Sequence, residues 1–279
     1  MAIDAPSERE GSGTWGSSEA AADWQRGTDT RLQWFGPATE RLLDLADIRA
    51  GSRVLDIGAG SGEQTVAAAR RAGSVGRVLA TDISARMLEI TAIAARHAGL
   101  SNVDTRVMDA QQLELPPDSF DAVISRFALM LIPDIPKALT EIRRVLRTGG
   151  KLAALVFSEC PYLSIPHAVA RRVGGLMSPP EPFGEFRLAG SGVMSDAYRK
   201  AGFRDVTIHE VSTSRRFPSL AAAMQYAKET PLPLRELTDQ LRPEQREQAW
   251  AEIETALRQF VGPKGYESPC RMLIGLGTK

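Results

Sequence analysis

The apolar positions of this chain change their period twice. Residues 21–47 read as a helix, with Leu42, Leu43, Leu45 and Ile48 supplying its apolar face. From residue 53, short β-rich runs alternate with helical stretches. Strands are expected at 53–57 (RVLDI), 77–81 (RVLAT), 103–107, 120–125 (FDAVIS) and 151–157. Helices are expected at 63–72, at 85–98 and at 136–146, where Leu139, Ile142, Val145 and Leu146 recur before a Gly149–Gly150 stop. Strands separated by helices of this length need crossover connections, hence a mostly parallel sheet covered on both faces. After Phe157 the rhythm breaks. Residues 158–195 read as irregular, and 202–211 and 271–278 as two further strands. Between these strands lies an excursion with helices starting near Ser219 and near Pro243, the latter placing Trp250, Ile253, Leu257 and Phe260 on one face. An insertion of that length in a sheet suits a lid or a binding cap. The expected plan is therefore α/β with a seven-stranded, mostly parallel sheet: a mobile arm over 1–20 and a core over 21–212 that holds six of the strands, with a lid segment at 158–195. A helical cap follows over 213–268, and a last core strand over 269–279. No internal repeat is present.

Composition narrows the class. The 279 residues are 43% hydrophobic and 24% charged, the balance of a globular protein, and Lys plus Arg equals Asp plus Glu at 34 each. Nucleic-acid binding draws much of its affinity from a basic surplus, and none exists here. The N-terminus, MAIDAPSEREGSG, lacks the cationic flank and apolar stretch of a signal peptide, and no window is apolar enough to span a bilayer. Cys160 and Cys270 are the only cysteines, which suits a reducing compartment and assembles no metal site. A cytoplasmic protein without metal or nucleic acid is expected, with a homodimer left open.

Candidate chemistry begins at Val54–Gly62 (VLDIGAGSG), which follows the first strand and opens a helix. Glycines there allow a tight turn and close backbone approach, and the helix start offers unpaired N–H groups. A dinucleotide fingerprint needs a sixth-position glycine, but Glu63 stands there, and no Gly-Lys-Ser/Thr completes a phosphate loop. Asp56, two residues before the turn, would repel a pyrophosphate and favour a ligand with a cationic end. Asp82 ends the second strand, where an acid can accept both hydroxyls of a ribose. Asp109 follows the third, where a carboxylate can accept from an adenine amino group. Structural roles compete: helix capping at Asp82 and turn formation at Asp109. Three acids past three strand ends converge on one crevice.

With VLDIGAGSG, ATDIS-RML, RVMDAQQLELPPDSFDAVISR and ALTEIRRVLRTGGKLA in this order, the chain resembles class I S-adenosylmethionine (SAM)-dependent methyltransferases. The resemblance is to the branch (methyltransferase type 11) that includes ubiquinone/menaquinone-biosynthesis C-methyltransferases. It is dense over residues 40–157 and continues weakly through Ala201–Phe203. It implies a Rossmann-like fold, SAM as cofactor with S-adenosylhomocysteine (SAH) as product, and a small-molecule acceptor. It also implies that Asp56 faces the methionyl amine, that Gly58, Ala59, Gly60 and Gly62 lie under the methionine and sugar, and that Asp82 binds the ribose. Ile83 and Met87 would lie against the adenine, Asp109 would bind its amino group with Ala110 beside it, and Ser125 and Arg126 would lie beside the methionyl portion. Two departures stand out: Thr148 replaces the common proline before Gly149, and RFALMLIPD lacks the histidine that many relatives carry there.

That second departure leaves the catalytic base open. His97 sits at a helix end, and His209 alternates with Val206 and Ile208 in a strand. His167, after Pro166, lies within reach of a pocket and is the candidate base, while Arg126 could pair with a substrate carboxylate or with a lid. The roof is expected to draw on Trp15, Trp24, Trp34, Phe35, Phe183, Phe186, Met194, Tyr226 and Trp250. Such an apolar, aromatic cap argues for a hydrophobic or aromatic acceptor. Two other readings remain open, a non-catalytic SAM-fold binding subunit and a nucleotide-dependent oxidoreductase. The intact glycines and acids oppose the first, and Glu63 and Asp56 oppose the second.

Overall fold

In the computed structural model, which describes residues 25, 27–175, 184–229 and 233–279, the alternating segment forms one twisted sheet. A first helix, α1 (Thr28–Leu45), precedes β1 (Arg53–Ile57), α2 (Glu63–Ala72), β2 (Arg77–Asp82), α3 (Ala85–His97), β3 (Val103–Val107) and β4 (Phe120–Arg126). Then come α4 (Ile135–Val145), β5 (Leu146–Glu159), α5 (Pro161–Val173), α6 (Val193–Lys200) and β6 (Arg204–Phe217). The chain closes with α7 (Leu220–Glu229), α8 (Pro233–Asp239), α9 (Pro243–Leu257), β7 (Val261–Gly262) and β8 (Gly265–Thr278).

The sheet order is β3-β2-β1-β4-β5-β8-β6, with β1 to β5 parallel and β8 antiparallel to both its neighbours. Because β6 runs antiparallel to β8, its carboxyl end lies on the same sheet edge as those of β1 to β5. Seven strands were expected, and the sheet has seven plus the two-residue β7, which forms a tight hairpin with β8. Central strands β1 and β4 and the middle of β5 are buried, while β3 and β6 at the two edges are largely exposed. Burial on both faces explains why VLDI, AVIS and LAALVF read as continuous apolar runs rather than alternating ones.

Residues 158–195 depart most from the sequence reading. The first part of the segment read as irregular is a 13-residue helix, α5, which forms despite Pro161 and Pro166. Pro161 occupies its first turn, where a missing N–H costs nothing, and only Pro166 removes an internal bond. The buried set Tyr162, Leu163, Pro166, His167 and Ala170 follows helical spacing and outweighs that loss. The excursion after β6 holds three helices instead of the two expected, because the short α8 separates α7 from α9. Among the described residues, no helix is long and apolar enough to cross a membrane. The expected arm over 1–20, Trp15, Trp24 and Phe183 lie outside the described residues.

Candidate functional site

The carboxyl edge of the sheet opens on a cavity of about 420 Å³, within the usual range for ligand sites. Its floor is the loop from β1 to α2. Gly58 and Gly60 hold φ of +68° and +57°, left-handed values that glycine adopts without cost. A Cβ on Gly58 would lie 2.2 Å from that of Ala128, so the turn admits no side chain. The N–H groups of Gly58 and Ala59 both reach the Thr81 carbonyl, at 2.8 and 3.0 Å, which pins the loop to β2.

Asp82 is placed by the end of β2. Its Oδ2 accepts from the Gly60 N–H and its Oδ1 from the Ser84 N–H, each at 3.0 Å. Burial holds its pKa above the usual carboxylate value. Each oxygen keeps a further lone pair, so the group can accept two hydroxyls. Ser84, not Asp82, caps α3, its hydroxyl accepting from the Met87 N–H. Ile83, Met87, Met108 and Ala110 add an apolar slot. Asp109 also lines the cavity, but it is exposed and already accepts from the Gln111 backbone and side-chain amide.

Asp56 lies one layer below the cavity instead of facing it. Fully buried, it accepts from Thr65 Oγ1 at 2.5 Å and Gln64 Nε2 at 3.2 Å. Gln64 stands between it and the cavity. The Gln64 Nε2 is surrounded by three acceptors, Asp56 and the Gly58 and Ala59 carbonyls, which turns its Oε1 to the opposite side. That Oε1 is buried and finds no donor among the described residues. An ammonium entering above the loop would satisfy it, so these residues fit a cofactor with a cationic amino end.

Burial raises the Asp56 pKa to about 6. A carboxyl whose folded pKa exceeds its unfolded value favours folding when protonated, and that advantage is lost as pH rises through the window between the two values. The stability of the wild-type chain relative to Asp56→Asn is therefore expected to fall by about 3 kcal/mol between roughly pH 4 and 6 and to stay level above. Thermal melts of both proteins across that range check it, and a constant difference would contradict it.

A buried ionic cluster forms the wall toward α1. Arg31 Nη2 and Arg126 Nη2 clamp the two oxygens of Glu63 at 2.7 and 2.6 Å. Arg31 also donates to Ser61 Oγ, and Arg126 to Thr39 Oγ1. Burial works against the Glu63 charge, but the two guanidiniums hold its pKa below the ordinary value. Glu63, which in the sequence only spoils a dinucleotide fingerprint, thus ties α1 and β4 to the glycine loop. Arg126 is paired with the start of α2 and with Thr39 of α1, and not with residues of the expected lid or cap.

Gly62, Ser125 and the three histidines fall outside the lining. Gly62 packs on α3, where a Cβ would meet Thr91 at 3.0 Å. Ser125 is buried and accepts from the Leu129 N–H, shaping the turn after β4. His167 lies in the second turn of α5, not at a helix start, and its Nδ1 contacts the Leu163 carbonyl at 2.8 Å. His97 is exposed, and His209 Nε2 lies 3.0 Å from Thr207 Oγ1. Of the aromatic roof, Trp34, Phe35 and Tyr226 line the cavity, joined by Phe127 and Phe157. Phe186 packs behind Phe157, Met194 lies under β8 against Gly275, and Trp250 belongs to a separate groove with Lys228. Phe127 and Phe157 stack at 4.3 Å. Phe127 does so with φ +59°, a conformation that costs about 1–3 kcal/mol and recurs at functional sites.

Sequence reasoning missed Arg31, Gln64, Met108, Gln111 and Arg215 as cavity residues. The helical spacing from Thr28 through Arg31 to Phe35 was the one available signal for the first. Among the described residues, no cluster of His, Cys, Asp or Glu could hold a metal ion.

Residues 55–154 match the family model described as a methyltransferase domain. Nocamycin O-methyltransferase from Saccharothrix syringae is 32% identical over 212 residues, 69% of this chain and 74% of that protein. The ubiquinone/menaquinone biosynthesis C-methyltransferase UbiE from Hydrogenovibrio crunogenus is 39% identical over 118 residues, 42% of this chain and 46% of that protein. The crystal structure of YcgJ from Bacillus subtilis superimposes with a TM-score of 0.58, covering 88% of this chain and 98% of that one at 20% identity, which bears on the fold alone. Ordered motifs, sheet topology and the extent of similarity to the nocamycin enzyme agree: the chain belongs to the SAM-dependent methyltransferase family.

Proposed function

We propose that the protein transfers a methyl group from SAM to a small, hydrophobic or aromatic acceptor. The observation that carries this reading is a single cavity whose floor is the glycine loop with Asp82 and whose far wall is Trp34, Phe35, Phe157 and Tyr226. Asp82 would hold the ribose hydroxyls, Ile83, Met87 and Met108 the adenine, and Gln64 Oε1 the methionyl ammonium, with Asp56 orienting Gln64 from below. When bound, the sulfonium supplies an electrophilic methyl group and leaves as a neutral thioether. The chain's own task is placement: holding an acceptor atom in line with that methyl is worth roughly 7–11 kcal/mol of barrier. The aromatic wall excludes water and orients a flat acceptor. Neither His167 nor Arg126 is needed as a base in this scheme, since His167 lies outside the lining and Arg126 is held by Glu63.

Transfer of label from methyl-labelled SAM into an organic-soluble product, using small-molecule extract of the host, tests the activity. SAH that binds without any transfer from such extracts would favour a binding subunit instead. In Asp82→Ala, SAH affinity is expected to fall about 10- to 100-fold, the loss of hydrogen bonds to a charged group. Calorimetric titration reads it, and unchanged affinity would overturn the ribose assignment.

A further inference from the structure

Arg215 places a charge within the aromatic wall. It lies near the carboxyl end of β6, on the far side of the sheet from Asp82, and lines the same cavity. Its exposure is 4%. The guanidinium carbon sits 4.6 Å from the Trp34 ring centre, 5.3 Å from Phe35, 5.2 Å from Tyr162 and 5.8 Å from Phe157. Rings at these distances stabilise a cation through their faces, but weakly compared with an ion pair.

Every other buried arginine in the cavity is paired with Glu63. Arg215 forms no ion pair with a carboxylate among the described residues, and its Nε finds no hydrogen-bond partner. Its partners are groups that are neutral in their ordinary ionisation state: the thiols of Cys160 and Cys270, with which its side chain hydrogen-bonds, and the nearby hydroxyls of Tyr162 and Tyr226. A buried guanidinium without a carboxylate costs several kcal/mol in a protein interior, and an anionic ligand oxygen recovers that through short, charge-assisted, bidentate hydrogen bonds. The strand neighbour, Arg216, shows the contrast: it is exposed and paired with Glu267.

We infer that Arg215 is a specificity-determining residue that takes an anionic oxygen group of the acceptor, so that the substrate is an apolar, ring-bearing acid, a carboxylate or an ionised enol or phenol. This rests on the acceptor reading of the cavity above. The anion sits at the β6 end, among Trp34, Phe35 and Phe157, and the rest of the acceptor extends toward the glycine loop. Charge on the acceptor is thereby recognised within an otherwise apolar wall.

Two dyes with the same ring skeleton isolate the charge. 8-Anilinonaphthalene-1-sulfonate is anionic, and N-phenyl-1-naphthylamine lacks only the sulfonate. Fluorescence titrations of the full chain with each, in the presence and absence of SAH, are expected to show the sulfonate bound at least tenfold more tightly. Arg215→Met should abolish that preference, Arg215→Lys should keep part of it, and Arg216→Met should leave it as in the wild type. Equal affinity for the two dyes in the wild type, or a preference that survives Arg215→Met, overturns the proposal and leaves Arg215 a partner of the Cys160 thiol. SAH affinity measured on the same samples reports folding of each variant. Failure of SAH to bind the wild type would strike the cofactor reading, while the dye comparison without SAH still reads Arg215.

Discussion

Replacing Glu63 with alanine is expected to lower stability by about 3–5 kcal/mol, because it leaves two buried guanidiniums facing each other without a counter-charge. Arg31 and Glu63 side chains are 4% and 3% exposed, and those of Arg126 and Glu63 3% each, so solvent does not screen the loss. A domain of this size loses roughly 2–4 °C of melting temperature per kcal/mol, so a fall of about 10 °C should appear in thermal melts. The same change frees α1 from the glycine loop, and SAH affinity should fall with it. The cluster reading has an internal control. Arg126→Met is expected to destabilise the wild type strongly but the Glu63→Met background little, since the second change removes a charge already stranded. A melting temperature within about 1 °C of wild type in Glu63→Ala would mean that the cluster contributes nothing to the fold.

Gly58→Ala is the second large effect. The added methyl would lie 2.2 Å from Ala128 Cβ, and alanine must also adopt φ +68°. Left-handed backbone costs about 1–2 kcal/mol for a residue with a Cβ, and overpacking roughly 1–3 more. The cheaper escape is for the loop to move, which would break its hydrogen bonds to the Thr81 carbonyl and withdraw the cofactor floor. SAH affinity is therefore expected to fall at least 100-fold, more than stability suffers. The double variant Gly58→Ala with Ala128→Gly removes the collision but not the backbone strain, so it should recover part of the affinity. No recovery would place the whole cost in the dihedral angle.

The local reading worked where one element carries its own signal. Apolar runs bounded by glycine and polar turns located β1, β2, β4 and the middle of β5, since burial leaves a run that needs no partner to be recognised. The exposed edge strand β3 was placed by the alternation of strand and helix around it. The local reading failed at α5, whose buried helical face lies in a segment read as irregular, and at the ends of β5, β6 and β8. Those strands are extended by pairing with each other, and β8 begins at Gly265, well before the apolar run at 271–278.

By itself the sequence determined the alternation of strand and helix, the glycine loop after β1 and the acids past β2 and β3. Each depends on residues within a few positions of one another, where spacing sets geometry. Only the tertiary structure decided which side chains share the cavity. Arg31 and Glu63 are 32 positions apart, and Glu63 and Arg126 are 63, yet they form one cluster. Asp56 lies beneath the cavity, and Gln64, for which the sequence carried no expectation, lines it instead, because the α2 turn puts Gln64 above the strand end. Arg215, an arginine in an ordinary RR pair, becomes a buried cation because the strand's alternation turns it to the aromatic wall and turns Arg216 to solvent. Which face of a strand meets which helix is a property of the whole packing, and no local pattern records it.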